Sequence, residues 1–257
     1  MSLPSARPIA FNRRLSPAWL KEGLRLRSEG VDGTSWVEAM RVVVGAAVSG
    51  NDSIQKSLRY LRHTLVEPGG LAPLREEAIH LFQTSRDPEK IRVLSWGLAA
   101  AAYPFLQEVA GIIGRMLRIQ PEMKLEQFQR KLAESFGEKE TVRRSGRYSL
   151  GVIHDLGFVR RTKMAGGYAA SPLVRIEDSD LASWLIKAWF FSTATSGPVD
   201  RVALSNHPGL CFFDAPNLVA AALKAGVLSV DRMSMSQDTL SLRLPPDQPT
   251  SPGPRGA

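Results

Sequence analysis

Apolar side chains recur at helical spacing along most of this chain, which predicts a mainly α fold with small β elements. The clearest case in the N-terminal half is residues 53–66. Ile54, Leu58, Leu61 and Leu65 form one stripe, with Lys56, Arg59, Tyr60 and His63 opposite and Arg62 on the flank. Asn51, Asp52 or Ser53 is the expected cap. Helices are also expected over 17–30, 36–47, 72–84, 89–102, 105–119 and 124–136. Ser16-Pro17 gives the first a cap and a first-turn proline, and Thr34-Ser35 with Glu38 opens the second. The small residues of 89–102 imply close packing, and Tyr103-Pro104 ends that helix. Beyond Ile176 the character changes. Residues 178–191 read as an apolar helix with Trp184 and Trp189, 199–204 and 210–214 as short strands, and 217–226 as a helix. Residues 228–230 and 239–244 close a small sheet. Trp189, Phe190 and Phe191 read as core or interface rather than as a platform for stacking bases.

The stretch 139–176 is the most informative. At about 100° per residue, Val142, Ser145, Ser149, Val152, Ile153 and Leu156 share one side of a helix. Arg143, Arg144, Arg147, Gly151 and His154 share the other, and Leu150 falls on the wrong side. Gly157 sits where a left-handed C-terminal cap belongs. A hairpin follows, with arms at 158–159 and 168–170 and a turn at Ala165-Gly166-Gly167. Its first arm adds Arg160, Arg161 and Lys163. Preceded by the helices at 105–119 and 124–136, this is the expected order of a winged helix-turn-helix. Its basic helix suits a DNA major groove, and its hairpin can reach the adjoining backbone or minor groove. The helix at 53–66 ends a three-helix run of similar form, so Lys56, Arg59, Arg62 and His63 are secondary candidates for DNA contact. A solvated basic face is the alternative for both helices.

Charge favours a polyanionic partner: 33 basic against 25 acidic residues give a formal +8. The sequence carries no recognisable catalytic signature. Gly45 and Gly50 are not followed by a phosphate-binding Gly-Lys-Ser/Thr, and His63, His80, His154 and His207 are scattered away from zinc spacing. No Gly-x-Ser-x-Gly elbow occurs, and His154-Asp155 are neighbours whose side chains diverge on a helix. The expectation is therefore a protein that is not an enzyme, with no cofactor and no metal. The single cysteine, Cys211, lies in an apolar run and reads as buried packing. The N-terminus lacks the apolar core of a secretory signal, and the longest uncharged stretch, 93–107, is too short to span a bilayer. The expected compartment is the cytoplasm.

Four segments together resemble the BrxA family, a small component of bacterial BREX phage-exclusion systems. Trp36-Val-Glu-Ala39 is similar to that family's early tryptophan helix, and 53–65 (SIQKSLRYLRHTL) to its basic Arg-Leu helix. Residues 103–117 (YPFLQEVAGIIGRML) resemble its central apolar helix, and 145–159 (SGRYSLGVIHDLGFV) the helix ending in a Leu-Gly element. The ending Asp-Leu-Gly-Phe departs mildly from the family, and nothing after Phe191 matches it. The resemblance implies a non-enzymatic accessory protein of antiphage defence that binds double-stranded DNA. It would work beside a methyltransferase, an ATPase and a phosphatase-like protein. Carried over by position, Arg143, Arg144, Arg147, Arg160, Arg161 and Lys163 are the expected contacts, with His154 beside them. A winged-helix transcriptional regulator and a docking scaffold without DNA binding are the alternatives; the sequence does not fix the oligomeric state. The expected organisation is a flexible N-terminus (1–12), a helical domain with a candidate helix-turn-helix (13–90), and the winged domain (91–177). A C-terminal α+β region (178–244) and a disordered tail (245–257) complete it.

Overall fold

In a computed structural model, residues 13, 15–193, 197–234 and 237–243 are described. The expected segments 1–12 and 245–257 lie outside them. The described chain is mainly helical, with two small antiparallel sheets of three strands each.

Six helices come first: α1 (Pro17–Ser28), α2 (Gly33–Gly45), α3 (Asn51–Leu65), α4 (Ala72–Thr84), α5 (Pro88–Ala102) and α6 (Pro104–Ile119). Prolines open α1, α5 and α6, where a missing N–H costs nothing. Two expected caps move. Helix α2 starts at Gly33, because the Asp32 carboxylate accepts from the Gly33 N–H at 2.6 Å, ahead of Thr34-Ser35. Helix α3 starts at Asn51 behind Gly50, whose φ of 87° turns the chain, and no side chain caps it.

Helix α5 is buried on all sides from Val93 to Ala102 and forms the centre of the molecule. It packs against α1, α3, α4, α6 and α9 (Ser179–Thr193). Gly97 makes the α9 contact close: a Cβ there would lie 2.5 Å from the Trp184 ring. Trp184 in turn donates to the Leu74 carbonyl of α4 at 2.8 Å. Trp36 is wholly buried and donates to the Gly23 carbonyl at 3.1 Å, locking α2 on α1. The buried apolar residues form one contiguous cluster from Leu15 to Leu240.

After α6 come β1 (Met123–Lys124), α7 (Leu125–Phe136), α8 (Glu140–Asp155), β2 (Val159–Arg161) and β3 (Gly167–Ala170). These strands form an antiparallel sheet with β3 in the middle; Met123 faces Tyr168, and Arg160 faces Ala169. The second sheet orders β4 (Val199–Asp200), β6 (Gln237–Leu242) and β5 (Leu228–Ser234), with β6 central. Two short strands expected near the end are corrected. At 199–204 only Val199 and Asp200 are extended, because the Asp200 carboxylate accepts from the Ala203 N–H at 2.7 Å and starts α10 (Arg201–Ser205). At 210–214 the chain follows a 3-10 turn opened by Pro208, and Phe213 makes a single parallel bridge to Val174. Helix α11 (Ala215–Lys224) then covers α9.

Candidate nucleic-acid interface

Helix α8 packs on α6 and α7 through Val142, Ser145, Ser149, Val152 and Ile153, all buried. Gly146 lets α7 come near, since a Cβ there would meet Leu132 at 2.2 Å. Leu150, out of place on a helical wheel, is 2% exposed because the buried arc extends round to the hairpin side. Arg143, Arg144 and Arg147 face solvent; Gly151 and His154 are half-buried.

The helix ends as its glycine requires. Gly157 has φ 76° and donates to the His154 carbonyl, while Phe158 N–H reaches back to Ile153 at 3.1 Å. Phe158 then packs edge-on to Trp96 and stacks on Phe212, their centroids 5.3 and 5.0 Å away. These rings hold the end of α8 against the centre of the molecule. In the β2–β3 hairpin, Gly166 supplies the positive φ of the turn at 67°. The Leu125 N–H donates to the Gly166 carbonyl at 2.9 Å, which fixes the turn to the start of α7.

Successive strand residues point to opposite faces, so Arg160 and Arg161 diverge. Arg161 lies over the Tyr168 ring at 5.4 Å and faces a cleft of about 390 Å³ between α8 and the hairpin. Arg147, Tyr148, Leu150, Gly151, His154 and Asp155 of α8 form the other wall, and Leu125 also lines the cleft. Arg160 and Lys163 are exposed elsewhere on the hairpin.

The two basic helices differ in what surrounds their charges. On α3, Lys56 pairs with Asp52 at 2.6 Å, His63 with Glu67 at 3.0 Å and Arg62 with Glu67 at 3.7 Å; Arg59 lies over Tyr60. On α8, Arg143 has only an exposed 3.7 Å pair with Glu140, and Arg144 lies 6.0 Å over Tyr148. Among the described residues, Arg147, Arg160, Arg161 and Lys163 have no carboxylate within 4.0 Å. Nor does the fold bring the sets together: α3 packs on α1, α2 and α5, and α8 on α6 and α7. The carboxylate signal was present in the sequence. Asp52 and Glu67 stand four residues from Lys56 and His63, whereas the i±3 and i±4 neighbours of Arg147 include no acid. Sequence reasoning missed Tyr168 and Leu125 as walls of the cleft, because strand pairing places the first and a hydrogen bond to the Gly166 turn places the second.

Other chemistry-bearing groups sit in packed surroundings. Cys211 is pressed against Gly114, and burial pushes its thiol up to about 12, well above the reactive range. His207 is held below its ordinary pKa by burial and by Arg115. Its Nδ1 accepts from Gly209 and Trp189. Trp189 and Phe190 are buried, and Phe191 is 38% exposed. A larger concavity at the start of α2 mixes Asp32 and Glu67 with Arg62, so it has no dominant charge. Among the described residues no group of three or more His, Cys, Asp or Glu is placed to hold a metal, and no helix is long and apolar enough to cross a membrane. No family model, no curated protein and no solved structure matches this chain.

Proposed function

We propose that this protein is a non-enzymatic module that binds double-stranded DNA through α8 and the β2–β3 hairpin. The supporting observation is the set of cations that have no carboxylate within 4.0 Å among the described residues, Arg147, Arg160, Arg161 and Lys163, on one helix and the hairpin beside it. A cation without an internal partner is free to replace the counterions of a phosphate. The order α6, β1, α7, α8, β2, β3, with β3 between the other two strands, fits the order expected of a winged helix-turn-helix, which supports the same reading. In it, α8 enters the major groove and the hairpin is the wing. Arg143 and Arg144 add phosphate contacts at the start of α8, and His154 adds one near its end. Binding is dominated by phosphates and only weakly selective for sequence.

The likeness of four segments to the BrxA family extends the proposal to an accessory role in BREX-type antiphage defence in the bacterial cytoplasm, beside other proteins of the system. Helix α3 is a weaker candidate contact, because Lys56 and Arg62 already have carboxylate partners.

The test is fluorescence anisotropy with a labelled random duplex of about 25 base pairs at several salt concentrations. Neutralising three to five phosphates gives a slope of log affinity on log salt of about −2.7 to −4.5. Arg143→Ala with Arg147→Ala should flatten it by about 2. Unchanged affinity and slope in the double variant would remove α8 as the contact.

A further inference from the structure

We infer that the cleft between α8 and the hairpin is a slot for one sugar-phosphate strand of a DNA duplex, gripped between Arg147 and Arg161. The inference rests on the DNA-binding reading and says how the DNA is seated. In B-form DNA a single backbone strand separates each major groove from the adjoining minor groove. A helix in the first groove and a hairpin in the second leave that strand one path, between the two elements. The cleft lies on that path. Arg147 and His154 stand on its helix wall and Arg161 on its hairpin wall. The Tyr168 ring beneath Arg161 keeps that guanidinium on the cleft side. Two guanidiniums facing one space with no carboxylate within 4.0 Å among the described residues suit an anion shared between them. Asp155 also lines the cleft; against the expected divergence of helical neighbours, its carboxylate bends to within 3.3 Å of His154 Nδ1.

Gly151 supplies an independent argument. Alanine is the better residue inside a helix, so a glycine there needs a reason. Gly146, five residues earlier, has one in its contact with Leu132. Gly151 has none within the fold: a Cβ there would meet nothing within 4 Å. It stands on the wall of the cleft, where lacking a side chain lets a ligand approach the helix backbone. Folding does not require this glycine, and a strand lying in the slot does.

The test uses the full chain, the same labelled duplex, thermal melts, and the variants Gly151→Ala, Gly151→Leu, Arg147→Ala, Arg161→Ala and the double arginine variant. Gly151→Ala should raise Tm by about 2 °C while weakening binding. Gly151→Leu should keep the fold and weaken binding roughly tenfold or more by filling the slot. The double arginine variant should lose less than the product of the single losses, because both arginines serve one phosphate. Excess dAMP should leave the duplex bound. Wild-type affinity in both Gly151 variants overturns the slot while leaving the DNA face standing, as does a lowered Tm in Gly151→Ala. Displacement of the duplex by dAMP makes the cleft a mononucleotide pocket and overturns the strand assignment. Absence of duplex binding by the wild type overturns the DNA reading itself, and the slot with it.

Discussion

Arg75 is a charged side chain with 4% exposure, and its surroundings say why it is tolerated. Its guanidinium donates to the carbonyls of Thr64 at 2.9 Å, His63 at 2.5 Å and Glu67, so it satisfies the end of α3. Arg75→Met should cost about 2–4 kcal/mol in a urea melt, because methionine fills the space and leaves those carbonyls without a donor. A loss under about 0.5 kcal/mol would mean that water replaces the guanidinium freely. Lys90 is the other buried cation among the described residues. It donates to Asp178 at 2.9 Å and to the Thr84 hydroxyl at 3.1 Å, tying α5 to the start of α9. Burial alone would raise the Asp178 pKa. Lys90 and the N–H groups of Leu181 and Asp180 outweigh it, and the carboxyl stays below its ordinary value. The stability from this depressed carboxylate is complete above about pH 5 and is lost as pH falls through the unfolded value of about 4 to the lower folded value. Asp178→Asn should cost about 1–2 kcal/mol at pH 7, a figure reduced because the carboxylate is 42% exposed. It should also shrink the loss of stability between pH 5 and pH 3. Equal acid sensitivity in variant and wild type would show that the pair contributes nothing.

At the scale of elements, α3 and α8 look alike in sequence, and their charges separate them in space. The apolar stripes are plain in both, so both helices were legible from periodicity. Their ends were less so. Helix α8 stops where Gly157 demanded, while α3 starts on a glycine instead of a side-chain cap, because backbone geometry at Gly50 does the turning. The two-residue strand β1 was invisible to pattern, since two residues have no period; it exists because Met123 pairs with Tyr168, 45 positions away in sequence. The cleft was hidden for the same reason. Arg147, Gly151 and His154 can be read off one helix, but strand pairing brings Arg161 and Tyr168 opposite them. Near the end of the chain, Asp200 reads as part of a strand and acts as a helix cap, because alternation in a short window says nothing about where a carboxylate finds an N–H.

Across the whole molecule, the long-range fixings converge on α5. Trp184 of α9 closes on Gly97, and Phe158 carries the end of α8 onto Trp96 and Phe212. The basic helix and hairpin are therefore anchored to the central helix by ring contacts, which presents their cations as a preformed surface. A preformed surface loses little freedom on binding, so its affinity should follow salt through phosphate neutralisation. The claim that α8 and the hairpin, and not overall charge, carry binding is tested most directly by comparing two triple variants of similar charge change. One is Arg147→Ala, Arg160→Ala and Lys163→Ala; the other is Lys56→Ala, Arg59→Ala and Arg62→Ala. With the same labelled duplex, the first should flatten the slope of log affinity on log salt by about 2.7. The second should leave the slope within about 0.5 of wild type, since Lys56 and Arg62 already have carboxylate partners. Equal flattening in the two variants, or flattening only in the second, would contradict the assignment of the DNA face to α8 and the hairpin.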